Sequence, residues 1–181
     1  MHVVTLTRLN RALGDAIRDF EHLGLWTEAL YRVDVFLVPA GHAYGWKWGG
    51  ADGHIAIPVI SLSRLSAAMG FGQGCGLRDI LRHEYGHAVA DVYPKLSRSK
   101  AFRQAFGASY DRGERIAPYN PEQHVTRYAS TEPAEDFCEV FMYYVKHRGR
   151  LPARFDTPVI RRKWAYVEQL VRTIRAGRRT F

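Results

Sequence analysis

The stretch Leu81-Arg82-His83-Glu84-Tyr85-Gly86-His87-Ala88-Val89 lies inside a helical pattern that runs from Leu77 to Tyr93, where Pro94 stops it. Two histidines four residues apart on a helix project from one face, about one turn apart, so both imidazoles can reach a single metal ion. Glu84, next to His83, falls where a carboxylate stands beside a metal-bound water and does not bind the ion itself. Two nitrogen ligands, an open position for water and a carboxylate base make up the zinc hydrolase arrangement. Zinc lowers the pKa of its water from about 15.7 to about 7, which makes hydroxide available at neutral pH. Leu77, Ile80, Leu81, Ala88, Val89 and Val92 give the helix the apolar back that such a site needs.

A zinc site needs a third protein ligand. One class of zinc peptidase continues the motif with Gly three residues after the second histidine and His three residues later. Here those positions are Ala90 and Tyr93, which excludes that class. The downstream candidates are His124, Glu132, Glu135, Asp136 and Glu139. Glu135 and Glu139 are one turn apart on a helix expected over 132–147 and face the same way. One of them can bind metal while the other accepts a hydrogen bond from a ligand imidazole.

Together, His83-Glu84-Tyr85-Gly86-His87-Ala88-Val89 and Tyr128-Ala129-Ser130-Thr131-Glu132-Pro133-Ala134-Glu135-Asp136-Phe137-Cys138-Glu139 resemble the gluzincin metallopeptidases. The likeness is to the anthrax lethal factor-type peptidase domain and the small bacterial zinc-binding peptidases that share it. It covers residues 80–94 and 124–145. The resemblance implies a zincin-like fold and Zn²⁺ as cofactor, with Glu135 as third ligand and Tyr128 as donor to the transition-state oxyanion. It also implies supporting places around the ligands for Glu139 and Asp91. Glu132 stands where family members often have Asn, and Cys138 where Ala is common; neither change removes a catalytic group.

Outward from the motif, the elements follow an α+β order. Leu9, Ala12, Leu13, Ala16, Ile17 and Phe20 make a helix stripe over 9–23. Residues 31–38 alternate and are rich in β-branched types, so they read as a strand, and a second strand is expected over 54–60. Pro58 has no N–H to donate, which places that second strand at a sheet edge or marks a bulge. A peptide substrate is expected to lie beside it as an added strand. The intervening 45–53 reads as turn-rich, and the glycine-rich 70–76 as a mobile loop at the mouth of the metal helix. A short helix is expected over 100–106 and a last, basic helix over about 157–177, opened by Thr157-Pro158. The resulting picture is a small N-terminal sheet, an active-site helix and a C-terminal helical part.

The 181 residues read as one domain, with ordinary hydrophobic (46%) and charged (24%) fractions that exclude a disordered chain. No apolar run is long enough for a membrane span. Two cysteines are too few for a disulfide scaffold, and no secretory signal is visible, so a cytoplasmic setting is expected; a processed secreted form would read the same. The net charge of +8 is concentrated in residues 148–181, which hold ten Arg/Lys against Asp156 and Glu168, while the rest of the chain is balanced. The expectation is therefore a zinc metallopeptidase acting on a peptide or protein, with Glu84 as base. The alternatives are an inactive scaffold that binds nucleic acid or an acidic partner through its basic C-terminal helix, and a zinc hydrolase of non-peptide amides.

Overall fold

A computed structural model describes residues 3–49, 53–68, 75–113 and 118–177. The glycine-rich loop expected over 70–76 falls mostly outside the described residues. In chain order the elements are α1 (Leu6–Leu23), α2 (Glu28–Tyr31), β1 (Asp34–Val38), β2 (Gly45–Trp48), β3 (Gly53–Pro58), α3 (Leu62–Ala68), α4 (Leu77–Val92), α5 (Pro94–Ser97), α6 (Lys100–Phe106), α7 (Pro133–Lys146) and α8 (Pro158–Arg175). Short 3₁₀ turns at Tyr128–Ser130 and Ala153–Phe155 precede α7 and α8. The α+β class expected from the sequence is the class observed.

Helix α1 starts three residues earlier than its apolar stripe, because the Thr5 hydroxyl caps it by accepting from the Arg8 N–H. The sheet corrects two expectations. Residues 45–48 form a strand and not a turn, and β3 is the central strand, with β1 parallel on one side and β2 antiparallel on the other. Pro58 is tolerated there because N–H groups alternate in direction along a strand. The Val59 N–H donates to the Val38 carbonyl on the β1 side (2.9 Å), so the Pro58 nitrogen faces the β2 side, where pairing has already ended at Gly45 opposite Ala56.

Helix α4 is buried nearly all round, with α7 as its largest neighbour and α1 and β2 also against it. Its charged residues are compensated: Arg82 donates to Asp19 and Asp79, and Lys146 of α7 donates to Asp79. The crossing with α7 is set at Gly86. A methyl group there would lie 3.1 Å from Cys138 Sγ and 3.2 Å from Cys138 Cα, so the two helix backbones approach closely only over a glycine. Gly86→Ala gains about 1 kcal/mol in helix propensity but overpacks a backbone contact, typically ~1–3 kcal/mol unfavourable. We expect net destabilisation in urea melts, with Gly86→Val worse. An alanine variant as stable as wild type would show that the crossing has slack.

Candidate metal centre

The close crossing brings the first turn of α7 against the middle of α4. Pro133 opens α7, needing no N–H partner there, and Glu132 precedes it in extended geometry. Glu135 and Glu139 then face His83 and His87. The Glu135 Oε2 atom lies 3.0 Å from His83 Nε2 and 3.5 Å from His87 Nε2. For a tetrahedral zinc ion with bonds of about 2.0–2.1 Å, any two ligand atoms are roughly 3.3 Å apart. The two observed separations bracket that value, and one carboxylate oxygen faces both Nε2 atoms. This donor set fits a zinc ion.

The other faces of the imidazoles are held too. His83 Nδ1 lies 2.9 Å from Glu139 Oε1, and the other oxygen of Glu139 accepts from the Thr126 hydroxyl at 2.6 Å. His87 Nδ1 lies 2.9 Å from the Tyr110 hydroxyl. The electrostatics favour a cation. Burial opposes charge on His83, but the flanking Glu135 and Glu139 overcome it and push its pKa up to about 10. Burial would raise the Glu135 pKa, yet hydrogen bonds and charge from the two histidines hold it well below the ordinary carboxylate range. Tyr128 lies with its ring 5.7 Å from that of His83 and hydrogen-bonds Glu135. Burial and the Glu135 charge keep it a phenol and hence a donor.

Glu84 is buried and turned toward the sheet. Its Oε2 accepts from the Trp46 backbone N–H at 2.6 Å. This approach depends on Gly45, whose φ is +89° and whose Cβ position is 3.3 Å from the same oxygen. Asp91, expected around the ligands, accepts instead from the Trp46 indole N–H (2.8 Å) and from Arg98 (3.1 Å). Trp46 thus ties β2 to α4 at two points seven residues apart, and Tyr110 takes the place behind His87.

The remaining ligand candidates are used elsewhere. Asp136 is fully buried and accepts from Lys163 of α8 at 2.6 Å. His124 is buried beside it, with Nε2 3.9 Å from Asp136, and burial lowers its pKa to about 4, so it is neutral. Glu132 is the residue before α7. Cys138, read as an ordinary thiol, does come near: its Sγ and one nitrogen from each of His83 and His87 lie within 4.8 Å of one another. It is fully buried and packed over Gly86.

In the basic C-terminal part, Lys163 is buried in the pair with Asp136, and Arg161 and Arg172 pair with Asp156 and Glu168. Three of its cations are therefore already matched. Among the described residues no helix is long and apolar enough to cross a membrane. Tyr110, Trp46, Gly45 and Thr126 are the site residues that sequence reasoning missed. Only Thr126, two residues before Tyr128, carried a hint in its proximity to a motif. Comparisons with protein-family profiles, curated proteins and solved structures find no match for this chain.

Proposed function

We propose that this chain is a zinc-dependent metallopeptidase of the gluzincin type, with a zincin-like arrangement of sheet, metal helix and glutamate helix. The observation that carries the reading is the single Glu135 oxygen shared between the two Nε2 atoms of the His83–Glu84–Tyr85–Gly86–His87 helix. His83, His87 and Glu135 would hold the ion. When bound, zinc supplies an acidified water and polarises the scissile carbonyl.

The protein's own groups do the rest. Glu84 takes the proton from the attacking water and passes it to the leaving amine. The Trp46 N–H holds one oxygen of that carboxylate, which aims the other. Tyr128, held as a phenol, donates to the developing oxyanion. Glu139 orients His83 and strengthens it as a ligand. The expected seat of substrate moves from β3, both of whose edges are paired, to β2, whose far edge pairs with no strand among the described residues. An extended peptide would add there as a further strand.

The test is zinc content together with cleavage of a peptide library by the zinc-loaded protein. Glu135→Ala should abolish retention of zinc through a desalting step. Glu139→Ala should weaken affinity by about 10–100-fold, as removal of a partner behind a ligand does. The reverse ranking would transfer the ligand role to Glu139. A zinc-loaded protein that cleaves no peptide would remove the peptidase reading and leave the non-peptide amides.

A further inference from the structure

The two imidazoles of the site are backed by different chemistry. Behind His83 stands the Glu139 carboxylate, which can only accept. Behind His87 stands a hydroxyl, from Tyr110, twenty-three residues away in the chain. That hydroxyl is not placed there by chance packing of an exposed loop. The Tyr110 ring is 8% exposed and is fixed by edge contacts with Phe102 (5.8 Å between centroids) and Phe137 (6.2 Å), with the Arg98 guanidinium 5.7 Å from its centre. Its oxygen lies 2.9 Å from His87 Nδ1.

We infer that Tyr110 is the positioning residue of His87, its hydroxyl holding His87 Nδ1 so that His87 presents Nε2 to the metal. This inference rests on the zinc reading above. A neutral imidazole that ligates through Nε2 must carry its proton on Nδ1. That N–H then donates to the Tyr110 oxygen. Glu84, Glu135 and Glu139 already bring three carboxylates to the site, and a neutral partner at the fourth place adds no further negative charge to blunt the ion's pull on its water.

The experiment uses the full chain and its Tyr110→Phe variant, which keeps the buried ring and removes one oxygen. Zinc affinity is measured by chelator competition, and the visible d–d absorption by cobalt(II) substitution. The expected results are a 10–100-fold loss in zinc affinity, in the range for removal of such a partner, and a changed cobalt spectrum. A loss of packing alone would lower the unfolding midpoint without changing the spectrum of folded, cobalt-loaded protein. Zinc affinity within twofold of wild type and an unchanged spectrum would overturn the role of Tyr110 while leaving the metal site standing. Failure of the wild-type chain to bind either ion would instead overturn the zinc reading and this inference with it. Should Tyr110→Phe not fold, proton–nitrogen NMR of the zinc-loaded wild-type chain serves: a slowly exchanging Nδ1–H on His87 supports the inference, and a proton on Nε2, or an Nδ1–H that exchanges freely with solvent, overturns it.

Discussion

Replacing Glu84 by Gln is expected to lower peptide hydrolysis by about 10²–10⁴-fold while leaving bound zinc at the wild-type level, since general-base catalysis contributes on that scale. The two outcomes separate because Glu84 and the ligand set are held independently. The carboxylate contacts the β2 backbone through the Trp46 N–H, whereas His83 and His87 are held from behind by Glu139 and Tyr110. A glutamine at 84 keeps a carbonyl oxygen for the Trp46 N–H, so the packing of β2 on α4 survives. What it loses is the ability to take a proton. Activity assayed beside metal content by mass spectrometry decides the matter: a fully active Glu84→Gln protein would end the role given to this residue.

The largest stability effect is expected away from the candidate metal centre, at the buried pair of Lys163 and Asp136. The Lys163 ammonium donates to Asp136 Oδ2 at 2.6 Å and also to the Gln123 carbonyl, tying α8 to α7 and to the loop before it. Both side chains are almost fully buried, and burial pushes each toward its neutral form: the Asp136 pKa rises to about 7 and that of Lys163 falls. The pair is therefore costly to assemble and costlier to break. Lys163→Met keeps the length and leaves a buried carboxylate without its cation, a change worth ~3–5 kcal/mol. The sign of the pH dependence follows from the raised pKa. In the native state Asp136 holds its proton up to higher pH than in the unfolded chain, where it ionises near 3.8. Stability is thus lost as pH rises through the window between the two values, and the deficit of Lys163→Met shrinks as pH falls toward 3.8. Urea melts at pH 5 and pH 7.5 measure it. A variant within 1 kcal/mol of wild type at the higher pH, on the order of a single exposed ion pair, would mean that the pair is well hydrated.

The readable parts of the site were those encoded over one helical turn. His83 with His87, and Glu135 with Glu139, each share a face because four residues nearly complete a turn, whatever the rest of the chain does. That periodicity, with Pro133 and Pro158 opening helices and Pro94 ending one, also located α4, α7 and α8 to within a few residues. Strand β2 was not read as one, since the glycines that bracket Trp46-Lys47-Trp48 (Gly45, Gly49, Gly50 and Gly53) gave the segment a turn-like composition, and it becomes extended by pairing with β3. The charge count of the C-terminal part was correct as arithmetic and misleading about Lys163, because a composition cannot say which cation is buried against which carboxylate.

The sequence by itself determined that an imidazole pair and a glutamate pair each lie on one helical face, and that the chain is α+β. Tertiary structure alone decided that these two faces meet, with one Glu135 oxygen facing both Nε2 atoms, and that Tyr110, Trp46 and Thr126 stand behind His87, Glu84 and Glu139. The reason is physical. Spacing along a helix is set by backbone geometry within a few residues, whereas the meeting of α4 and α7, some fifty residues apart, is set by packing: by what fits over Gly86, where the absence of a single carbon lets Cys138 and its helix come close.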